Sequence, residues 1–368
     1  MNADMASPQR IGRLTPLAEL LAAIGEVEPV VPHDIGVATA SGCVLATEII
    51  ASNDLPAKLV ALRDGWAVDA ETTRDAGGYA PVTLAPRRVD AFDALPQHAD
   101  AVAPFDAATE VGGLLQIGVS VAPGDNVIPR GGEVEAGATL CVAGRRLSAS
   151  DVAVLAAAGV RSVAVRKPTI LVTTARPGDP ILDIVASFLR QAICAAGAIA
   201  EMSDNLGRAL EAKIGDAIIV IGGTGTGRDD RTVVTLARVG RLICHGIAIS
   251  PGETAAFGNS DGRPVLAVPG RIDSALACWL LLGRPLIHRL SGAQKDDAVV
   301  KALLTRKVTS SIGLVEFVPL ARAGEGVEPL ASGHLPLQSL ARAVGWMLVP
   351  ADSEGYPAGT EIEMRLLP

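Results

Sequence analysis

The stretch Asp216-Ala-Ile-Ile-Val-Ile-Gly-Gly-Thr-Gly-Thr-Gly-Arg-Asp-Asp230 runs an unbroken apolar segment, Ile218 to Ile221, into four glycines and closes on two acids. Such a run is expected of a parallel strand, because helices cover both faces of the sheet it belongs to. Gly222, Gly223, Gly225 and Gly227 permit positive φ and bring bare N–H groups close to an anion. Arg231 to Val239 has helical spacing, so the loop precedes the positively polarised end of a helix. The stretch is therefore a candidate phosphate site with a carboxylate, Asp230, able to hold a cation. The same glycines also suit a plain strand-to-helix turn, and Asp230 also suits a helix N-cap.

The segments around this loop alternate. A strand is expected at Thr169–Thr174, a helix at Ile181–Ala196, a strand at Ile199–Met202, a helix at Leu206–Ile214 and a strand at Ala217–Ile221. That order predicts a doubly wound α/β domain, in which ligands bind beyond the C-terminal strand ends. Two further glycine turns, Ser250-Pro-Gly252 and Val265-Leu-Ala-Val-Pro-Gly270, follow extended segments and are expected to reach the same pocket. Asp273 to Leu282 reads as a helix that Pro285 interrupts.

Upstream, Leu17, Leu20, Leu21 and Ile24 mark a short amphipathic helix over Pro16–Ile24, with Thr15 as its cap. Between Leu55 and Pro129, short extended runs such as Ala80–Leu84 and Gly113–Val119 alternate with Pro, Gly and Asp, the pattern of a small β-rich insert. The chain returns through a helix at Ser150–Ala158, capped by Ser148 or Ser150 and stopped by Gly159. After Gly292, runs such as Leu314–Leu320, Gly345–Val349 and Glu361–Leu367 predict a separate C-terminal β domain. The expected architecture is thus α/β plus β and multidomain. It comprises a discontinuous N-terminal linker domain (14–54 and 142–166), a β-rich insert (55–141), the α/β domain (167–293) and the C-terminal β domain (294–368).

At 368 residues the chain has room for several packed units. Only 3% of it is aromatic, so Ala, Val, Leu and Ile must fill the cores. A formal charge of −8 argues against a broad nucleic-acid grip, which needs clustered Lys and Arg. No apolar run is long enough to span a membrane, and the polar segment Met1–Arg13 lacks a signal-peptide core, so a cytoplasmic location is expected. Cys43, Cys141, Cys194, Cys244 and Cys278 form no CxxC pair and read as reduced, buried packing residues. The histidines are too scattered to define a metal or catalytic triad by spacing.

Taken together, the motifs resemble the molybdopterin molybdenumtransferase family, also called MoeA or the gephyrin E-domain family, over roughly Leu14 to Pro368. Arg63-Asp-Gly-Trp-Ala-Val68 is similar to the family's DGYA segment. Asn126-Val-Ile-Pro-Arg-Gly-Gly-Glu133 is similar to the segment that carries Gly-Glu-Asp, and Gly222 to Asp230 fits GGxSxGxxD. Ser250-Pro-Gly252, Ala256-Phe-Gly258, and Pro269-Gly270 followed by Ser274 resemble the substrate loops. Ser332-Gly-His-Leu-Pro-Leu-Gln-Ser-Leu-Ala341 resembles the C-terminal domain.

The resemblance implies a homodimer whose substrates are an adenylylated molybdopterin, bound through its phosphates, and molybdate, with Mg²⁺ promoting phosphoanhydride cleavage. It implies Asp64, Glu133 and Asp230 as catalytic acids, with Asp230 and Asp64 at the metal. Substrate binding falls to Gly222, Gly223, Thr224, Gly225, Thr226, Gly227, Asp204, Pro251, Gly252, Pro269, Gly270, Arg271 and Ser274. A molybdoenzyme or another protein of the cofactor pathway is the implied partner; nucleic acid and membrane are not.

Several polar positions depart from the family pattern. Its Lys-Pro-Gly-Lys-Pro loop reads Ser250-Pro-Gly-Glu253-Thr254 here, so two cations are gone and one anion has arrived. Arg271 replaces an asparagine and brings one positive charge to the next loop. The family's Ser-Thr-Gly-Asp-Glu-Leu segment has become Thr173-Thr-Ala-Arg-Pro-Gly-Asp179, and the glycine-loop serine is Gly225. Two readings follow: an enzyme that inserts molybdenum, and a noncatalytic carrier of molybdopterin or finished cofactor. A Rossmann-type nucleotide enzyme fits less well, since the glycines come late in the α/β unit and no acid ends the next strand.

Overall fold

The computed structural model describes residues 9–294 and 299–367. Two compact units emerge, one of residues 1–47, 144–149 and 162–368, the other of 48–143 and 150–161.

The larger unit opens with helix α1, Leu17–Gly25, which buries Leu17, Leu20 and Ile24. Thr15 does not cap it. Pro16 occupies the N-cap position without a side-chain bond, while Thr15 bridges to Ile247 in the manner of a strand. The α/β part then alternates β1 (Thr169–Thr174), α2 (Pro180–Ala195), β2 (Ile199–Ser203), α3 (Leu206–Glu211), β3 (Ala217–Ile221) and α4 (Thr232–Val239). It continues with β4 (Arg241–His245), β5 (Ala256–Ser260) and β6 (Arg263–Val268). The sheet order is β2-β1-β3-β6-β5-β4. The first four strands are mutually parallel, whereas at one edge β5 runs antiparallel to β6 and β4 antiparallel to β5.

Every residue of β3 is buried because both faces are covered. Ile219 and Ile221 point to the core shared with α1 and α2; Ile218 and Val220 point to the core with Ala209, Leu210, Val233 and Leu236 of α3 and α4. Full burial of an Ile or Val side chain contributes roughly 1.5–3 kcal/mol, so this strand anchors both layers. α3 ends at Glu211, short of the expected Ile214. α2 begins where Asp179 caps it, its Oδ1 accepting from the amides of Ile181 and Leu182.

Pro285 does not end the helix that follows β6. α5 (Ile272–Cys278) passes through one π-helical turn, Trp279–Gly283, directly into α6 (Arg284–Ser291). A proline lacks its N–H and crowds the carbonyl four residues before it. The wider turn lets the chain absorb both effects, which leaves Pro285 at the start of α6.

The C-terminal strands β7 (Val299–Leu303), β8 (Val315–Ala323), β9 (Gly345–Val349) and β10 (Glu361–Leu366) form a sheet of order β8-β9-β10-β7. Residues Ile249–Ser250 add to it beside β8 in parallel. Phe317 and Trp346 of this sheet, ring centroids 5.3 Å apart, join the same core as α1, α5 and α6.

The smaller unit is β-rich. Gly65–Val68 lies between Arg87–Val89 and Ala101–Pro104, and Leu114–Ile117 between Val82–Leu84 and Ala108–Val111. Val60–Ala61 pairs with Val127–Ile128, so Asp64 lies on the link between two strands of different sheets. The helix around 150–158 spans Ala149–Ala157, which leaves Ser148 at the N-cap position, and Gly159 (φ +81°) closes it. Of the cysteines, Cys43, Cys141 and Cys278 are buried, but Cys244 is half-buried and Cys194 exposed. Cys194 lies on α2 away from the apolar face made by Leu182, Val185, Ala186, Leu189 and Ile193.

Candidate functional site

The register of β3 with β6 pairs Ile221 with Val268 and hands the chain to Gly222, whose N–H donates to Val268 O at 2.9 Å. Gly222 and Gly223 then turn through φ +83° and +68°. A Cβ on Gly223 would run into Thr232 Oγ1 and lie 2.9 Å from Ala175 Cβ, so only glycine fits.

The carbonyls that follow are all occupied. Thr232 Oγ1 donates to Gly222 O at 2.8 Å and Thr232 N to Gly223 O at 3.1 Å. His245 Nε2 is 2.8 Å from Thr224 O. A carbonyl only accepts, so the ring proton sits on Nε2. Gln9 Nε2 donates to both Gly223 O, at 2.7 Å, and Gly225 O, at 2.6 Å. The opposite ends of these same peptide groups, the N–H groups of Gly223, Thr224, Gly225 and Thr226, meet no acceptor among the described residues. A run of unpaired amides at the C-terminal end of a parallel strand, just ahead of a helix, is suited to an anion such as phosphate.

Asp230 closes the loop. Its Oδ2 accepts from Gly227 N at 2.9 Å. It is not the helix cap, since Arg231 holds that position with no side-chain bond. Thr226 and Gly227 are exposed, whereas Thr224 is buried and its hydroxyl lies 3.1 Å from that of Thr254.

That contact brings the 250–254 turn to the glycine loop. Gly252 adopts φ +127°, with Ile249 and Cys278 so close that a Cβ would lie 2.8 Å from Cys278 Sγ. Glu253 folds back, its Oε2 accepting from Gly252 N at 3.1 Å. The third turn is adjacent: a Cβ on Gly270 would lie 3.5 Å from Gly222 Cα. Pro269 is buried behind it.

Arg271 reaches out from this turn and is held at its base. Nε and Nη2 donate to the two oxygens of Asp273 at 3.1 and 2.6 Å, and Nη2 also donates to His334 Nδ1. Asp273 further accepts from Leu335 N at 3.2 Å and Ser274 N at 2.7 Å; Ser274 Oγ lies 3.3 Å away. Burial pushes the Asp273 carboxyl up, but the Arg271 bond and the two backbone N–H groups outweigh it and hold it below its ordinary value. Its hydrogen bond to Asp273 raises the Arg271 guanidinium, and the nearby Glu253 charge adds to this. Arg271 is therefore a fixed cation whose side chain remains 60% exposed.

The remaining acids are distributed. Asp204 is exposed just past β2. Asp64 and Glu133 belong to the smaller unit and are exposed. Asp64 Oδ1 accepts from Ala91 N at 2.8 Å. Glu133 sits on a loop braced by Asp54, whose carboxylate takes Ala136 N and Arg130 Nε and is held below its ordinary value by those bonds in that order. Among the described residues no group of three or more His, Cys, Asp or Glu side chains is placed to cage a metal. Asp230 alone fits a different mode, in which Mg²⁺ takes one carboxylate and completes its octahedron with substrate phosphate and water.

Sequence reasoning did not identify Gln9, His245, Asp273 or His334. Gln9, His245 and His334 act through partners distant in sequence, and Asp273, which holds Arg271 two residues before it, is fixed from a distance by Leu335 N.

Three family models match this chain in order. They are the MoeA N-terminal region (domain I and II) over residues 15–159, the "probable molybdopterin binding domain" over 172–289 and the MoeA C-terminal region (domain IV) over 301–367. Among curated relatives, molybdopterin molybdenumtransferase 2 of Mycobacterium tuberculosis is 27% identical, covering 90% of this chain and 94% of its own. A molybdopterin molybdenumtransferase of Staphylococcus epidermidis is 22% identical over 88% of each. The molybdopterin biosynthesis MoeA protein of Pyrococcus horikoshii superposes over 96% of this chain and 99% of its own with a TM-score of 0.75 at 27% identity. Another structure, of a molybdopterin biosynthesis MoeA protein from Pyrococcus horikoshii OT3, gives 0.73 at 23% identity, a likeness of fold.

Proposed function

This chain belongs to the MoeA family, and from that membership we propose that it works in molybdenum-cofactor biosynthesis as a molybdopterin molybdenumtransferase. It binds adenylylated molybdopterin and inserts molybdenum from molybdate, with AMP released. The observation that carries the reading is the run of four unpaired amides from Gly223 to Thr226, a receptor for the phosphates of the pterin nucleotide.

In this reading the chain's own residues bind and orient. The amides grip phosphate oxygens in a loop that needs no rearrangement, since its carbonyls are already satisfied. Arg271 supplies the fixed positive charge nearest the turns at 250–254 and 269–274 and takes the role of molybdate anchor. Asp273 holds that guanidinium in one orientation. Asp230 is the residue to hold Mg²⁺ against the substrate phosphates, and the roles of Asp64 and Glu133 as catalytic acids are those the resemblance implies. When bound, Mg²⁺ would neutralise phosphate charge during anhydride cleavage. The enzyme acts in the cytoplasm as a homodimer, as the resemblance implies, and its four-part domain division follows the family. The noncatalytic carrier is the less favoured reading, because the relatives matching nine-tenths of the chain are molybdenumtransferases by name.

The test is calorimetric titration with adenylylated molybdopterin, then molybdate with and without Mg²⁺, with AMP followed by chromatography. Pterin binding with molybdate- and Mg²⁺-dependent AMP release is the expected result. Binding without release would return the carrier reading, and no binding would remove both.

A further inference from the structure

We propose that Gln9 is a positioning residue for the glycine loop: its side-chain amide and His245 together hold the carbonyls of Gly223, Thr224 and Gly225, so that the N–H ends of those peptide groups stay turned toward substrate. The inference rests on the molybdopterin-binding reading of that loop.

The geometry is that of a strap. From Gln9 the chain runs to Thr15, with Ile11, Arg13 and Leu14 closing over Gly246 and Thr15 bridging Ile247. Thr15 N donates to Gly246 O and Ala248 N to Thr15 O, at 2.9 and 2.8 Å. The segment is thereby fixed at its far end to the chain just after His245. At its near end Gln9, only 5% exposed, spends both N–H bonds of one amide on loop carbonyls two residues apart. His245 Nε2 occupies the carbonyl between them.

In a trans peptide the C=O and N–H point in opposite directions. Fixing the carbonyls of 223, 224 and 225 toward Gln9 and His245 therefore directs the amides of 224, 225 and 226 away from them. Glycines at 223 and 225 leave the loop free to flip, which is the freedom the strap removes. Gln9 Oε1 is buried and finds no partner among the described residues. Glutamine thus occupies this position in spite of its oxygen, and the donor NH₂ is the group the loop uses. None of the matched family regions includes residue 9, since the first begins at residue 15.

The proposal predicts that donors at position 9, rather than bulk, set substrate affinity. Gln9→Met keeps the size and removes both donors, while Gln9→Lys keeps donors and removes the stranded oxygen. Affinity for adenylylated molybdopterin should fall about ten-fold or more in Gln9→Met and return to within about three-fold of wild type in Gln9→Lys. Amide exchange should also quicken at the bonded amides of Gly227 and Asp230 in ligand-free Gln9→Met, without a matching change in β3. Wild-type affinity and unchanged exchange in Gln9→Met would overturn the proposal, as would Gln9→Lys binding no better than Gln9→Met. If wild-type protein fails to bind the pterin nucleotide, the functional reading and this inference fall together.

Discussion

Arg271 and Asp273 are locked side by side, with Nε and Nη2 of the guanidinium on the two carboxylate oxygens at 3.1 and 2.6 Å. The pairing resolves a conflict set by the sequence. A turn that carries an anion, Glu253, beside a buried acid, Asp273, would repel an oxyanion if those charges stood alone. Arg271 engages Asp273 from one side and keeps most of its surface open on the other. Asp273→Asn should loosen Arg271 and cost about 1–3 kcal/mol of stability, below the 3–5 kcal/mol of a fully buried pair because the arginine is solvated. Denaturant unfolding measures the loss, and Km for molybdate should rise more than kcat falls.

The same pair carries a pH dependence. Asp273 titrates below its ordinary value of 3.8 in the folded chain, so folding favours its ionised form. Its contribution is fully present above the unfolded pKa and disappears as pH falls through the folded one. The gap in unfolding midpoint between wild type and Asp273→Asn should therefore hold from pH 7 to about 5 and narrow below about 4. A gap that stayed constant down to pH 3 would contradict the ion pair.

Much of this architecture could be read from periodicity. The all-apolar run of β3 and the amphipathic spacing of α2 and α4 place the glycine loop at a strand end, because burial on one or two faces leaves a repeating mark in the sequence. What escaped has a common physical origin in contacts across long sequence separations. Gln9 meets its carbonyls more than 200 residues away, and Asp273 meets Leu335 62 residues on. Pro285 misled for another reason: its rule assumes an α-turn before it, and the chain supplies a π-turn. Thr15 has the chemistry of a cap but is drawn into a bridge with Ile247.

Glu253 sits where the family pattern has lysine, and its Oε2 is bound to Gly252 N. Glu253→Gln keeps an acceptor for that amide while removing the charge. Molybdate affinity should increase about ten-fold, roughly 1.4 kcal/mol, with a smaller gain at high salt. Calorimetry with molybdate at two ionic strengths checks both parts. An unchanged affinity would mean that molybdate binds away from this turn.

Cys278 and Cys194 should differ sharply in reactivity. Burial pushes the Cys278 thiol well up, and the charges of Glu253 and Asp273 act in the same direction. The reactive thiolate is thus suppressed as well as shielded. Cys194 is exposed on α2. Brief alkylation of native protein at pH 8, read by peptide mass spectrometry, should label Cys194 and leave Cys278 unmodified until denaturant is added.

Gly223 offers the most direct test of the loop. Its φ of +68° costs an L-residue about 1–3 kcal/mol, and an added methyl would also collide with Thr232 Oγ1. Relief requires either rotating Thr232, which breaks its bond to Gly222 O, or moving the loop off Ala175. Both movements disturb the unpaired amides. Gly223→Ala should lower the unfolding midpoint measurably and weaken binding of adenylylated molybdopterin by at least about ten-fold. Gly262→Ala supplies the comparison: that glycine also has positive φ, at +82°, but meets nothing within 4 Å and lies on the β5–β6 turn. It should lose stability to a similar backbone strain and keep its affinity. Equal binding losses in the two variants would show that strain alone, rather than loop geometry, governs the site.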